Sequence, residues 1–70
     1  MNIILNGVDT DVEGATVAAL WEAEQAAREL TSSKGYAIAV NGALVRKADW
    51  PTTAIKTHDK IEIVRAISGG

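Results

Sequence analysis

Only one stretch of the 70 residues has a helical rhythm. In VAALWEAEQAAREL the apolar residues Val17, Leu20, Ala23, Ala27 and Leu30 recur at intervals of three and four, with Glu22, Gln25, Arg28 and Glu29 mostly on other faces. Thr16 precedes the run as an N-cap whose hydroxyl accepts from an orphan amide of the first turn. The turn-formers Thr31-Ser32-Ser33-Lys34-Gly35 close it. Trp21 falls at the edge of the stripe. A lone helix can cover one face of one sheet, so the rest of the chain must build that sheet.

The strand signals agree. In MNIILNGVDTDV an apolar run and an alternating run flank Asn6-Gly7, the pair that a tight hairpin with two positive φ angles demands. YAIAVNG, residues 36–42, repeats the signal at Asn41-Gly42, and Ala43 to Arg46 forms a short fourth strand. KADWPTTAIKTHD reads as irregular, since Pro51 discourages helix at Trp50. KIEIVRAI, residues 60–67, is a last strand rich in β-branched residues. The order predicts an α+β chain: a β-grasp, or ubiquitin-like, roll. Its mixed sheet has four or five strands, with the main helix on one face and the last strand central beside the first. The expected domain is 1–67, with 68–70 a flexible C-terminal diglycine tail. The expected core is Ile3, Leu5, Val8, Val17, Leu20, Ala27, Leu30, Ile38, Val40, Ile61 and Ile63.

Composition excludes several kinds of chemistry. A hydrophobic fraction of 47% and a charged fraction of 23% suit a globular chain rather than a disordered one. Cysteine is absent, which removes disulfides, thiolate nucleophiles and sulfur-ligated metals. The net charge is −2 and the basic residues are scattered, giving no footprint for nucleic acid. No apolar run approaches a membrane span and no leader is recognised at the start. The expectation is a cytoplasmic protein, monomeric when free.

His58, the sole histidine, sits in a turn without a partner nucleophile and reads as a solvated side chain. Asp9, Asp11 and Glu13 alternate as a wet strand face, and no phosphate-binding glycine motif occurs. Trp21 reads as core or core edge, and Trp50 as an anchor under the irregular segment.

The end, RAISGG, leaves two readings open. Ser68, Gly69 and Gly70 are a frayed or appended end, or their backbone, lacking a Cβ at both glycines, threads a narrow channel and presents a carboxylate.

Taken end to end, the chain resembles the ThiS family of sulfur carriers. The resemblance rests on Met1-Asn2-Ile3-Ile4-Leu5-Asn6-Gly7, and on Thr16-Val17 with Leu20. It continues in Ala39-Val40-Asn41-Gly42 with Val45-Arg46 and Trp50, and in Asp59 to Val64 with Ala66 and Gly69-Gly70. One position departs: where the family commonly has glycine, this chain has His58, which is strained if the turn needs positive φ.

The resemblance implies a protein cosubstrate rather than an enzyme, with no cofactor of its own. A ThiF-like E1 enzyme would use ATP and Mg²⁺ to adenylate the Gly70 carboxylate. A cysteine-desulfurase route would replace AMP with sulfur. A ThiG-like thiazole synthase would take the sulfur from the thiocarboxylate. Ser68, Gly69 and Gly70 would enter partner active sites. The partner surface is expected on the sheet face away from the helix, at Ile4, Val64, Ala66 and Ile67, because the last strand is apolar at both parities. The alternatives are a carrier like the small subunit of molybdopterin synthase, and a ubiquitin-like interaction module with no tail chemistry.

Overall fold

Both Asn-Gly pairs make the turn expected of them. In the computed structural model, which describes residues 1–65, Asn6 and Gly7 have φ of 49° and 81°, and Asn41 and Gly42 have 51° and 86°. The first pair joins β1 (Asn2–Leu5) to β2 (Val8–Asp11), and the second joins β3 (Tyr36–Val40) to β4 (Ala43–Val45). Helix α1 (Val17–Ala27) separates the two hairpins, and β5 (Lys60–Arg65) follows a 3₁₀ helix at Lys47–Thr52.

The strand order is β2-β1-β5-β3-β4. β5 pairs parallel with β1 and antiparallel with β3, so the last strand lies centrally beside the first, in a β-grasp roll. Strand alternation then separates two faces. Ile3, Leu5, Ile38, Ile61 and Ile63 are buried toward the helix with Val17 and Leu20. Among the described residues no helix is long and apolar enough to cross a membrane.

Thr16 caps α1 as expected, its Oγ1 accepting from the Ala19 amide at 3.2 Å. The helix ends three residues before Leu30. Glu29 adopts a left-handed φ of 56°, and the Glu29 and Leu30 amides donate back to Ala26 and Gln25 at 3.2 and 2.9 Å. This is a Schellman stop, with glutamate where glycine is usual.

The early stop shifts the buried stripe. Ala23 and Ala27 are exposed, and Trp21 joins Val17 and Leu20 inside. An alanine-rich helix of about 16 Å supplies little volume, and the indole makes up for it. Trp21 lies 5.1 Å from Tyr36 and 5.7 Å from Trp50, ring centre to ring centre, each at 45°.

About half of the segment expected to be irregular, Lys47–Thr52, is a 3₁₀ helix, while 53–59 has no regular element and ends in the expected turn. Trp50 is buried within the 3₁₀ helix, and its Nε1 donates to the Val45 carbonyl at 3.0 Å. A short 3₁₀ turn makes few bonds, so the missing N–H of Pro51 costs little there. Ile55 completes the core as the chain returns past the start of α1, with Val17 N–H donating to Thr53 and Ile55 N–H to Ala15. Val8, expected inside, is 63% exposed because β2 is an edge strand beyond the helix's reach. Leu30 and Val40 are half-buried at the core's margin.

Candidate functional site

Any role of the C-terminal residues depends on how β5 is held, and two asparagines hold it. At the incoming end Asn41 folds over the start of the strand. Its backbone N–H donates to the Lys60 carbonyl at 2.7 Å, and its Oδ1 accepts from the Lys60 amide at 2.9 Å. Its Nδ2 donates to Asp59 Oδ1 at 3.0 Å. Asp59 Oδ2 accepts in turn from the Lys56 amide at 2.8 Å. The Asn41 side chain first, then the Lys56 N–H and the nearby Lys56 charge, hold the Asp59 carboxyl below its ordinary 3.8, against a small opposing effect of burial.

On the β1 flank, β1 makes its last pairing with β5 at Leu5 and Ile61. Asn6 N–H continues that ladder to the Ile61 carbonyl at 2.9 Å. The residue then turns left-handed and its own carbonyl swings away. Its side-chain Oδ1 takes the carbonyl's place, accepting from the Ile63 amide at 2.8 Å across 57 positions of sequence.

The turn before β5 contains His58 at φ 72°, the strained conformation that glycine would relieve. The His58 amide donates to the Asn2 carbonyl at 2.7 Å and its side chain is exposed. Among the described residues no group of three or more His, Asp or Glu could hold a metal ion.

The sheet face away from α1 is the other candidate surface. Its residues fall into cross-strand rows by register. Asp9, Ile4 and Lys60 make one row, Glu62, Ala39 and Leu44 the next, and Val64 and Ala37 the third. The β2 side is acidic, with Asp9 and Asp11 exposed. The β5–β3–β4 side carries exposed aliphatic residues, with Leu44 73% and Val64 47% exposed beside the small residues Ala37 and Ala39, and one exposed carboxylate, Glu62, in the row of Ala39 and Leu44. A shallow groove of about 580 Å³, lined by Ile4, Asn6, Gly7, Lys60, Ile61 and Glu62, separates the two sides.

Ile4 and Val64, two of the four residues expected at the partner surface, therefore share this face. They are not neighbours, because Ile4 aligns with Lys60 and Val64 lies four residues further along, about 13 Å away. Leu44, Ala37 and Ala39, not Ile4, complete the apolar patch around Val64. YAIAV is apolar at both parities, as is the last strand, and that signal was available in the sequence. Ala66, Ile67, Ser68, Gly69 and Gly70, and the expected boundary between 67 and 68, lie outside the described residues.

Comparison with known proteins gives one consistent result. The family model described as the ThiS family matches residues 3–70. Among solved structures, the chain is similar to the crystal structure of a thiamine biosynthesis protein (ThiS) from Geobacter metallireducens. Identity is 25%, the TM-score is 0.77, and the alignment covers 100% of both chains. It is also similar to an NMR solution structure of a thiamine biosynthesis protein from the same organism, at 25% identity and a TM-score of 0.69, over 100% of this chain and 88% of that one. A search of curated proteins found no match.

Proposed function

The chain belongs to the ThiS family, and from that premise we propose that it is a sulfur carrier protein of thiamine biosynthesis. The observation that carries the reading is that the family match runs through Gly70, the residue on which the chemistry would act. The protein is then a cosubstrate, and its partners are enzymes of the thiamine pathway.

A carboxylate resists acyl transfer, because its charge repels a nucleophile and oxide is a poor leaving group. A ThiF-like E1 enzyme removes both obstacles. With ATP and Mg²⁺ bound to that partner, a Gly70 carboxylate oxygen attacks the α-phosphorus and pyrophosphate leaves, forming an acyl-adenylate. A sulfur nucleophile from a desulfurase route attacks the Gly70 carbonyl carbon and expels AMP. The product is an acyl disulfide still joined to the donor through an S–S bond. A second thiol attacks the donor's own sulfur, forming a disulfide with the donor and expelling the C-terminal thiocarboxylate, from which a ThiG-like thiazole synthase takes sulfur. Gly69 and Gly70 carry no Cβ, so their backbone passes where other residues would collide. Ser68, Gly69 and Gly70 are the residues inserted.

Recognition falls on the sheet face away from α1. We assign the contact to Val64 with Leu44, Ala37 and Ala39, and place Ile4 at its margin, with Ala66 and Ile67 extending it. Exposed aliphatic side chains on small neighbours, with the Glu62 carboxylate among them, suit a partner surface that is largely apolar and carries a cation opposite Glu62.

The experiment is intact-protein mass spectrometry after incubation with ATP, Mg²⁺, a ThiF-like enzyme and a sulfur source, beside a chain lacking Gly70. Replacement of one oxygen by sulfur, confined to the C-terminal peptide and absent from the truncated chain, is the expected result. An unmodified chain, with an enzyme shown active on another carrier, would overturn it and favour an interaction module.

A further inference from the structure

We propose that Asn6 is a positioning residue: its side chain fixes the outgoing end of β5, and so the direction in which residues 66–70 leave the sheet. This inference rests on the sulfur-carrier reading for its consequence, and on described geometry for its cause.

Beyond Ile61 the strand has a full neighbour on one flank only. Ile63, Val64 and Arg65 pair with Ile38, Ala37 and Tyr36 of β3, whereas β1 pairs no further than Ile61. On the β1 flank the last hydrogen bond among the described residues is Ile63 N–H to Asn6 Oδ1, at 2.8 Å.

The residue type is tightly specified. The position needs a left-handed φ, here 49°, and a side-chain acceptor short enough to replace the backbone carbonyl. Asparagine and aspartate meet both needs, while glycine meets only the first.

The leverage is geometric. Gly70 lies five residues beyond Arg65, a reach of at most about 18 Å when extended. A reacting group displaced by about 1 Å can already lose about 100-fold in rate. An adenylating enzyme that reads the sheet face while acting on the Gly70 carboxylate depends on the angle between the two.

The test compares Asn6→Gly, Asn6→Asp and Asn41→Gly with the unchanged chain. Asn41→Gly is the control: it also keeps a left-handed turn and removes a side-chain bond to β5, but at the incoming end. Amide exchange of Ile63 is read relative to Ile61 in the same molecule, so that loss of global stability cancels. Asn6→Gly should raise that ratio about tenfold, with Asn6→Asp and Asn41→Gly near the unchanged chain.

Adenylation by a ThiF-like enzyme should then lose about tenfold in kcat in Asn6→Gly, with KM within about twofold. Asn6→Asp should restore kcat. An unaltered exchange ratio in Asn6→Gly refutes the clamp. An unaltered kcat, or an equal loss in Asn41→Gly, refutes the delivery role. An unchanged chain that an active enzyme fails to adenylate refutes the carrier reading and the delivery role with it, while the exchange ratio still decides the clamp.

Discussion

Replacing His58 by glycine should make this protein more stable. His58 sits at φ 72°, and for an L-residue the left-handed region costs about 1–2 kcal/mol, histidine being better tolerated there than most. Nothing in the fold depends on its side chain, which is exposed and makes no hydrogen bond among the described residues. The bond that the turn does use, from the His58 amide to the Asn2 carbonyl at 2.7 Å, belongs to the backbone and survives.

Glycine relieves the strain but enlarges the unfolded ensemble, at about 0.4–1 kcal/mol. The middle of the two ranges leaves a net gain of about 0.8 kcal/mol, or roughly 3–6 °C in Tm for a domain of this size. Urea titration at neutral pH should show a higher midpoint at unchanged slope, since the same surface is exposed on unfolding. His58→Val should move the midpoint the other way, because a β-branched residue tolerates this φ least. A midpoint that stays put or falls in His58→Gly would refute the strain argument.

Glu29→Gly applies the same reasoning at the stop of α1, where Glu29 has φ 56°. It should stabilise by a few tenths to about 1 kcal/mol in the same titration. Asp59 supplies a pH dependence. Its carboxyl is held below 3.8, so the stabilisation is complete above the unfolded value and is lost as pH falls through the lower folded value. Asp59→Asn should therefore flatten the fall of the melting temperature below about pH 4. Trp50→Phe removes the donor to the Val45 carbonyl and part of the packing with Trp21, and should cost about 1–3 kcal/mol by urea denaturation. Gly14→Ala would place a Cβ 2.7 Å from the Ala19 Cβ at the first turn of α1, and should cost about 1–3 kcal/mol by the same measurement.

Local chemistry was legible in the residues alone. Asn6-Gly7 and Asn41-Gly42 announced two hairpins because few residues accept consecutive positive φ angles. Thr16 announced the helix start because its hydroxyl reaches an amide three residues on. One helix among short strands required a single covered sheet, and alternation in KIEIV identified Ile61 and Ile63 as its inner face.

Distance in sequence hid the rest. The residues do not reveal the extent of α1, because alanine fits a buried or an exposed face equally, so Ala23 and Ala27 carry no information about which way they point. Trp21, Trp50 and Tyr36 could be recognised as large and apolar. That they form one cluster depends on the 3₁₀ helix folding back under α1. Leu44 became part of the apolar patch only when β4 paired beside Ala39. Asn6 shows the division within one residue. Its sequence neighbours dictated a left-handed turn, because that is backbone sterics. Its bond to Ile63, across 57 positions, came from the tertiary structure, because only the docking of β5 beside β1 brings that amide within reach.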